Sequence, residues 1–176
     1  MTVTRLKALI TGGTGQVGTE LIRRGDGFCF DIVAPTRAEI NLLNESDVYS
    51  QLNSIRPDIV VNSAAFTAVD AAETECDMAF KVNCDAVRIM ANSCNLLSIP
   101  LIHISTDYVF DGTKAGSYNE TDLICPIGVY GRSKEAGEAI VRELLEKHII
   151  LRTSWVYAAH GNNFVKTMLR IGRERR

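Results

Sequence analysis

Short apolar runs recur along the chain, and each gap between them holds one amphipathic stretch. Leu6-Lys7-Ala8-Leu9-Ile10-Thr11 opens the series, and further runs fall at 29–35, 57–62, 99–105 and 148–153. Their lengths and apolar content predict five strands. The intervening segments repeat apolar residues at helical spacing and predict helices near 16–25, 45–55, 75–97, 128–147 and 161–173. Proline punctuates the junctions: Arg56-Pro57-Asp58 and Ile99-Pro100 end helices just before strands. Strands alternating with helices imply an α/β fold, a Rossmann-type doubly wound parallel sheet with helices on both faces. The stretch 106–127 has no clear period, and a loop of that length after a strand's carboxyl end suits a ligand site.

The first strand runs into Gly12, Gly15 and Gly18, a G-x-x-G-x-x-G turn, and then into a helix that includes Gln16 and Val17. The first glycine permits the tight turn, the second lets backbone approach a pyrophosphate, and the third lets helix pack on strand. The helix amino terminus offers N–H donors and positive dipole to an anion. A glycine turn alone is a weak signal, but a strand before it and a helix after it make nucleotide binding the better reading.

Composition narrows the classes. The 176 residues suffice for one domain, and 46% hydrophobic with 23% charged residues is ordinary for a soluble globular chain. A formal charge of −2 favours neither nucleic acid nor membrane as partner. No apolar run approaches the roughly 20 residues that span a bilayer, and the apolar run that follows Met1-Thr2-Val3-Thr4-Arg5 is no signal peptide, so a cytoplasmic location is expected. Five scattered cysteines without a C-x-x-C pair, and three separated histidines, predict no metal site and no disulfide framework. Cys84 and Cys94 read as small core residues, and His103, alternating with apolar neighbours in a strand, reads as packing.

Tyr130 and Lys134 lie four residues apart in a helical segment, hence on one face. An ammonium beside a phenol favours the phenolate. Bringing a phenol from pH ~10 to neutrality takes about 4 kcal/mol, a demand that a bound cofactor's positive charge could share. A tuned phenol can exchange a proton with a carbonyl or alcohol. The plain alternative is a surface tyrosine beside a solvated lysine. Upstream, Ser105 and Thr106 end the fourth strand, where a hydroxyl could hold the oxygen that Tyr130 protonates or merely cap a turn.

Together these segments resemble the extended short-chain dehydrogenase/reductases, and within them the dTDP-4-dehydrorhamnose reductase family. The resemblance rests on Gly12 to Gly18, Ile55 to Asn62, Phe66 to Asp70, Ser105 to Phe110, Val129-Tyr130-Gly131 with Lys134, Leu151 to Tyr157, and Gly161-Asn162-Asn163-Phe164 with Lys166 to Arg170. It implies an NADPH-dependent reduction of a dTDP-sugar ketone, with NADH as the alternative cofactor. In that reading Tyr130 is the general acid, Lys134 holds the nicotinamide ribose and lowers the Tyr130 pKa, and Thr106 is the site hydroxyl, with Ser105 as fallback. Gly12, Gly15, Gln16, Val17 and Gly18 would hold the pyrophosphate side. Thr36 and Arg37 follow the second strand with no acid at the turn, which suits a 2′-phosphate, although Arg37 could be a solvated loop charge. Asn41 and Leu42 match the adenine side, and Ala64, Ala65, Phe66 and Thr67 the ribose and nicotinamide side. Val69, Asp107 and Trp155 would contact the dTDP-sugar, with Trp155 alternatively a core aromatic. Tyr108 is a further candidate there. Asn83 matches an asparagine common on the long helix, structural or catalytic.

Family members run to about three hundred residues, so residues 1–176 would be the NAD(P)-binding domain with the catalytic residues and would lack a carboxyl-terminal substrate domain. Homodimerisation is compatible with the family. A regulatory subunit of methionine adenosyltransferase shares the S-T-D-Y-V-F-D-G stretch, and a nucleotide-sugar epimerase or dehydratase shares Tyr130 and Lys134; both remain as alternatives.

Overall fold

The protein's structure, a computed structural model, describes residues 5–174. Five strands, β1 (Leu6–Thr11), β2 (Phe30–Val33), β3 (Ile59–Asn62), β4 (Leu101–Thr106) and β5 (His148–Thr153), form one parallel sheet in the order β2-β1-β3-β4-β5. The helices are α1 (Gln16–Gly25), α2 (Glu45–Ile55), α3 (Val69–Ala72), α4 (Cys76–Phe80), α5 (Ala86–Leu97), α6 (Val129–Leu144) and α7 (Phe164–Glu174). Strand order reverses beside β1: the chain steps one way to β2 and the other way to β3. Right-handed crossovers then put α1 on one face and α2, α5 and α6 on the other. The crevice at that reversal is where open α/β sheets take ligands.

The main core fills the second face. Leu9 and Val60 from the sheet meet Val48 and Leu52 of α2, Val87, Met90 and Cys94 of α5, and Val141 of α6. Cys94 is wholly buried as expected, whereas Cys84 is only partly so. The other face is thinly covered. No residue of α7 is buried, and Ile149, Leu151, Phe164 and Leu169 are exposed.

The expected elements are present with several departures: β4 starts two residues late, α6 stops three residues before 147 and α7 starts three residues after 161. Strands β2 and β3 are shorter than the apolar runs that announce them. The helix expected over 75–97 is α4 and α5 joined by a π turn at Lys81–Asp85. The short α3 was not foreseen because four residues carry no readable period. Helices α2 and α5 end in left-handed residues, Arg56 at φ 50° and Ser98 at φ 58°, each ahead of the proline that bars continuation.

Candidate active site

Glycine is needed in the β1–α1 turn for lack of space as much as for conformation. Gly12 has φ +71°, and a Cβ there would sit 2.7 Å from the Ala64 nitrogen; at Gly18 it would sit 2.3 Å from the Gly12 carbonyl oxygen. The turn therefore lies directly against the segment after β3. Gln16 and Val17 open α1, whose first N–H groups have no intrahelical acceptor and which starts just past the carboxyl end of β1. Gln16 also receives an unforeseen partner. Its Oε1 accepts from Asn163 Nδ2 at 2.9 Å and its Nε2 donates to the Asn162 carbonyl at 3.3 Å, so the G-N-N-F loop clasps the glycine turn.

The π turn explains how residues 64–67 are held. The extra residue in that turn presents Asn83 inward, fully buried. Asn83 Oδ1 accepts from Phe66 N at 2.9 Å, and Nδ2 donates to the Phe66 carbonyl at 3.0 Å and to Ser133 Oγ at 2.9 Å. Asn83 is thus a clamp on the loop and on α6. Helix α6 approaches closely because Gly137 has no side chain: a Cβ would lie 2.2 Å from the Asn83 carbonyl oxygen.

Tyr130 and Lys134 share a face of α6, and both are buried, at 9% and 1% exposure, which removes the surface-pair reading. Tyr130 belongs to a buried cluster with Ala72, Ala79 and Val129 against which Phe66 and Val69 pack, and its ring meets Tyr108 edge-on at 5.6 Å. The Thr106 hydroxyl, at the carboxyl end of β4, is close enough to the Tyr130 phenol to favour its ionised form. Thr106 Oγ1 also donates to Asp107 Oδ1 at 3.1 Å and accepts from Tyr108 N at 3.2 Å, so its position is fixed twice. Ser105 is buried beside the Glu138 carboxylate, so of the two hydroxyls Thr106 is the one that acts on the Tyr130 phenol.

One electrostatic expectation reverses. Burial pushes the Tyr130 phenol above its usual value, Thr106 offsets part of that, and the Asp107 charge adds to the rise. Lys134 is not among the groups that move it, and its amine is engaged elsewhere. Nζ donates to the Ile104 carbonyl at 2.7 Å and stands 3.4 Å from His103 Nε2. Burial brings the Lys134 amine down to about 8, with the Glu138 charge opposing. His103, read from sequence as packing alone, is thus a neighbour of the key amine. The strand alternation placing it on the inward face with Leu101 and Ser105 was the available signal, but the identity of the helix facing it was not.

Glu138 was also missed. It lies one turn beyond Lys134, fully buried, and takes Arg152 of β5 at 2.7 Å and Arg142 at 2.9 Å. The row Tyr130, Lys134, Glu138, Arg142 at four-residue steps was its signal.

The remaining candidates sit around the crevice with uneven support. At the end of β2, Arg37 is exposed, and the Glu39 carboxylate is occupied by the Thr36 N–H at 2.7 Å. Asn41 caps Leu43 N at 3.1 Å, and Leu42 packs partly buried against the main core. Ala64 and Ala65 are half-buried and Thr67 is exposed. Asp107 is exposed beside Thr106. Trp155 is not a core aromatic: it is 73% exposed at φ 53° and packs edge-on against Phe164 at 5.0 Å. Among the described residues, no three His, Cys, Asp or Glu side chains are grouped to hold a metal, and no helix is long and apolar enough to cross a membrane.

A family model described as the RmlD substrate binding domain matches residues 6–176. The chain belongs to that family. It is 45% identical over 174 residues to dTDP-4-dehydrorhamnose reductase of Escherichia coli K12, covering 97% of this chain and 58% of that protein. The Aggregatibacter actinomycetemcomitans protein of the same name is 44% identical over 170 residues, covering 96% of this chain and 58% of that one. A crystal structure of dTDP-4-dehydrorhamnose reductase from Bacillus anthracis, in complex with NADP, superposes with a TM-score of 0.95 at 41% identity, covering all of this chain and 63% of that one. The chain thus spans about 58% of the length of these curated relatives. The glycine turn follows β1 and Thr106 ends β4, so both lie at the carboxyl edge of the parallel sheet.

Proposed function

We propose that this chain binds NADPH along the crevice between the glycine turn and residues 64–67, and reduces the 4-keto group of dTDP-4-dehydro-L-rhamnose to give dTDP-L-rhamnose. The observation that carries this is a buried phenol beside a doubly anchored hydroxyl, at the strand edge that also holds the glycine turn. The residues present fit a dinucleotide: Gly12 and Gly18 leave no room for side chains where backbone must come close, and α1 begins beside them. The Bacillus anthracis relative's complex with NADP supports the cofactor class.

Gly12, Gly15, Gln16, Val17 and Gly18 would bind the pyrophosphate, Thr36 and Arg37 the 2′-phosphate end, and Asn41 and Leu42 the adenine side. With Glu39 committed to the Thr36 N–H, Arg37 is the charge that favours NADPH over NADH. Ala64, Ala65, Phe66 and Thr67, held by Asn83, would line the ribose and nicotinamide side. Bound there, the nicotinamide would supply the hydride for the ketone carbon. A phenol pushed upward by burial keeps its proton at neutral pH, so Tyr130 is set to donate it to the keto oxygen. Thr106 would turn its hydroxyl proton from Asp107 to that oxygen, and Lys134 would turn its amine from the Ile104 carbonyl to the ribose. Val69, Asp107 and Trp155 would contact the dTDP-sugar. The enzyme would work in the cytoplasm, with a homodimer as its assembly.

Loss of reduced-nicotinamide absorbance on adding the keto sugar tests the reading, with Tyr130→Phe as comparison. Tyr130→Phe should cut turnover by about 10²-fold or more while NADPH affinity changes little. Unchanged turnover in that variant would remove Tyr130 from the chemistry.

A further inference from the structure

Four buried polar side chains form a continuous line beneath the crevice: Thr11 of β1, Asn62 of β3, His103 of β4 and Lys134 of α6, none more than 5% exposed. Thr11 Oγ1 donates to Asn62 Oδ1 at 2.6 Å, and the Ala64 N–H points to the same oxygen at 3.3 Å. A backbone N–H can only donate, so the Asn62 amide is oriented with its oxygen toward Thr11 and Ala64. Its Nδ2 group therefore faces His103 Nδ1, at 3.2 Å, as a donor. A neutral imidazole that accepts at Nδ1 must carry its proton on Nε2. Nε2 is the atom that faces Lys134 Nζ, at 3.4 Å.

The consequence falls on Lys134. An ammonium would oppose an N–H donor with its own N–H groups, whereas a neutral amine would accept from it. The charged amine keeps one good acceptor, the Ile104 carbonyl, and the neutral amine gains His103. Each protonation state therefore has a partner. We propose that His103 is a positioning residue, held by Asn62 as the Nε2–H tautomer, which aims a donor at Lys134 and makes that amine a switchable proton carrier instead of a permanent cation.

The surroundings are compatible with this. From β4, His103 is the titratable group against the amine. On α6 itself Tyr130 lies one turn before it and Glu138 one turn after, the latter neutralised by Arg142 and by Arg152 of β5. From the π turn Asn83, which is uncharged, bonds Ser133, the residue before Lys134. Burial also keeps the imidazole neutral, down to about 3, and brings the amine to about 8. The use of this amine in turnover rests on the reductase reading. The tautomer and the titration do not, and they are measurable without substrate.

Side-chain nitrogen NMR of the full chain reads the tautomer directly, and a pH titration of the Lys134 Cε resonance, assigned with Lys134→Met, reads the amine. The expected result is a neutral His103 at pH 7 with the proton on Nε2. Asn62→Asp should pull that proton to Nδ1, turn the Nε2 lone pair toward the amine, and raise the Lys134 midpoint by about one pH unit. In a His103→Leu background, the same Asn62 substitution should move the midpoint by less than about 0.3 unit, because the relay is gone. A proton found on Nδ1 in the unsubstituted chain overturns the proposal even if no variant folds. An equal rise with and without His103 also overturns it, leaving only the added carboxylate's charge. Absence of reductase turnover, with these NMR outcomes intact, would count against the function and not against the relay.

Discussion

Replacing Lys134 by methionine should make the protein more stable while removing its proposed chemistry. The side chain is 1% exposed, and burial brings its amine from 10.5 to about 8. A displacement of that size corresponds to about 3 kcal/mol held against folding at neutral pH. Methionine has a similar length and no charge, but it leaves the Ile104 carbonyl without the amine donor, which costs about 1 kcal/mol. The net gain is about 2 kcal/mol, or about 4–8 °C in melting temperature for a chain of this size. The sign with pH is the sharper test. Below pH 8 the lysine is charged in both the folded and unfolded chain, so its full cost is present; between 8 and 10.5 the folded chain sheds the proton first and the cost fades as pH rises. Chemical denaturation of both proteins at pH 7 and pH 9.5 should show the variant's advantage shrinking by about 2 kcal/mol over that range. A variant less stable than the parent at pH 7, or an advantage unchanged at pH 9.5, would refute the burial cost.

Asn83→Ala should lower stability by about 2–4 kcal/mol in urea titrations, since it strips partners from both the N–H and the carbonyl of Phe66 and from Ser133. Gly137→Ala should cost about 1–3 kcal/mol despite alanine's better helix propensity, because the added methyl meets the Asn83 carbonyl; a stabilised variant in thermal melts would contradict the close approach. Glu138→Gln leaves Arg152 and Arg142 short of their carboxylate and should cost about 2–4 kcal/mol at pH 7. Burial pushes the Glu138 carboxyl up, but the hydrogen bonds from Arg152 and Arg142 help hold it below its usual value, so this stabilisation is present above the unfolded pKa near 4.5 and is lost as pH falls through the lower folded value; the gap between parent and variant should close in acid. Arg37→Ala should weaken NADPH binding by about 10-fold while leaving NADH within about 2-fold, read by fluorescence titration.

The alternation of apolar runs and amphipathic stretches determined, without coordinates, a parallel α/β sheet and the order in which its elements occur. Steric demands carried by single residues were equally legible: glycines at 12 and 18 where no Cβ fits, and prolines at 57 and 100 where helices must stop. Local spacing also put Tyr130 and Lys134 on one face of one helix. What spacing could not supply was the partner across the gap. Only the assembled sheet decided that the Lys134 amine meets His103 and the Ile104 carbonyl, and that burial outweighs the acidifying influence of Thr106 on the Tyr130 phenol. The π turn that aims Asn83 inward and the loop that clasps Gln16 were hidden for the same reason. Helix and strand periods record which face of an element is turned inward, whereas hydrogen bonds and pKa shifts depend on what another element, distant in sequence, places against that face within a few ångströms.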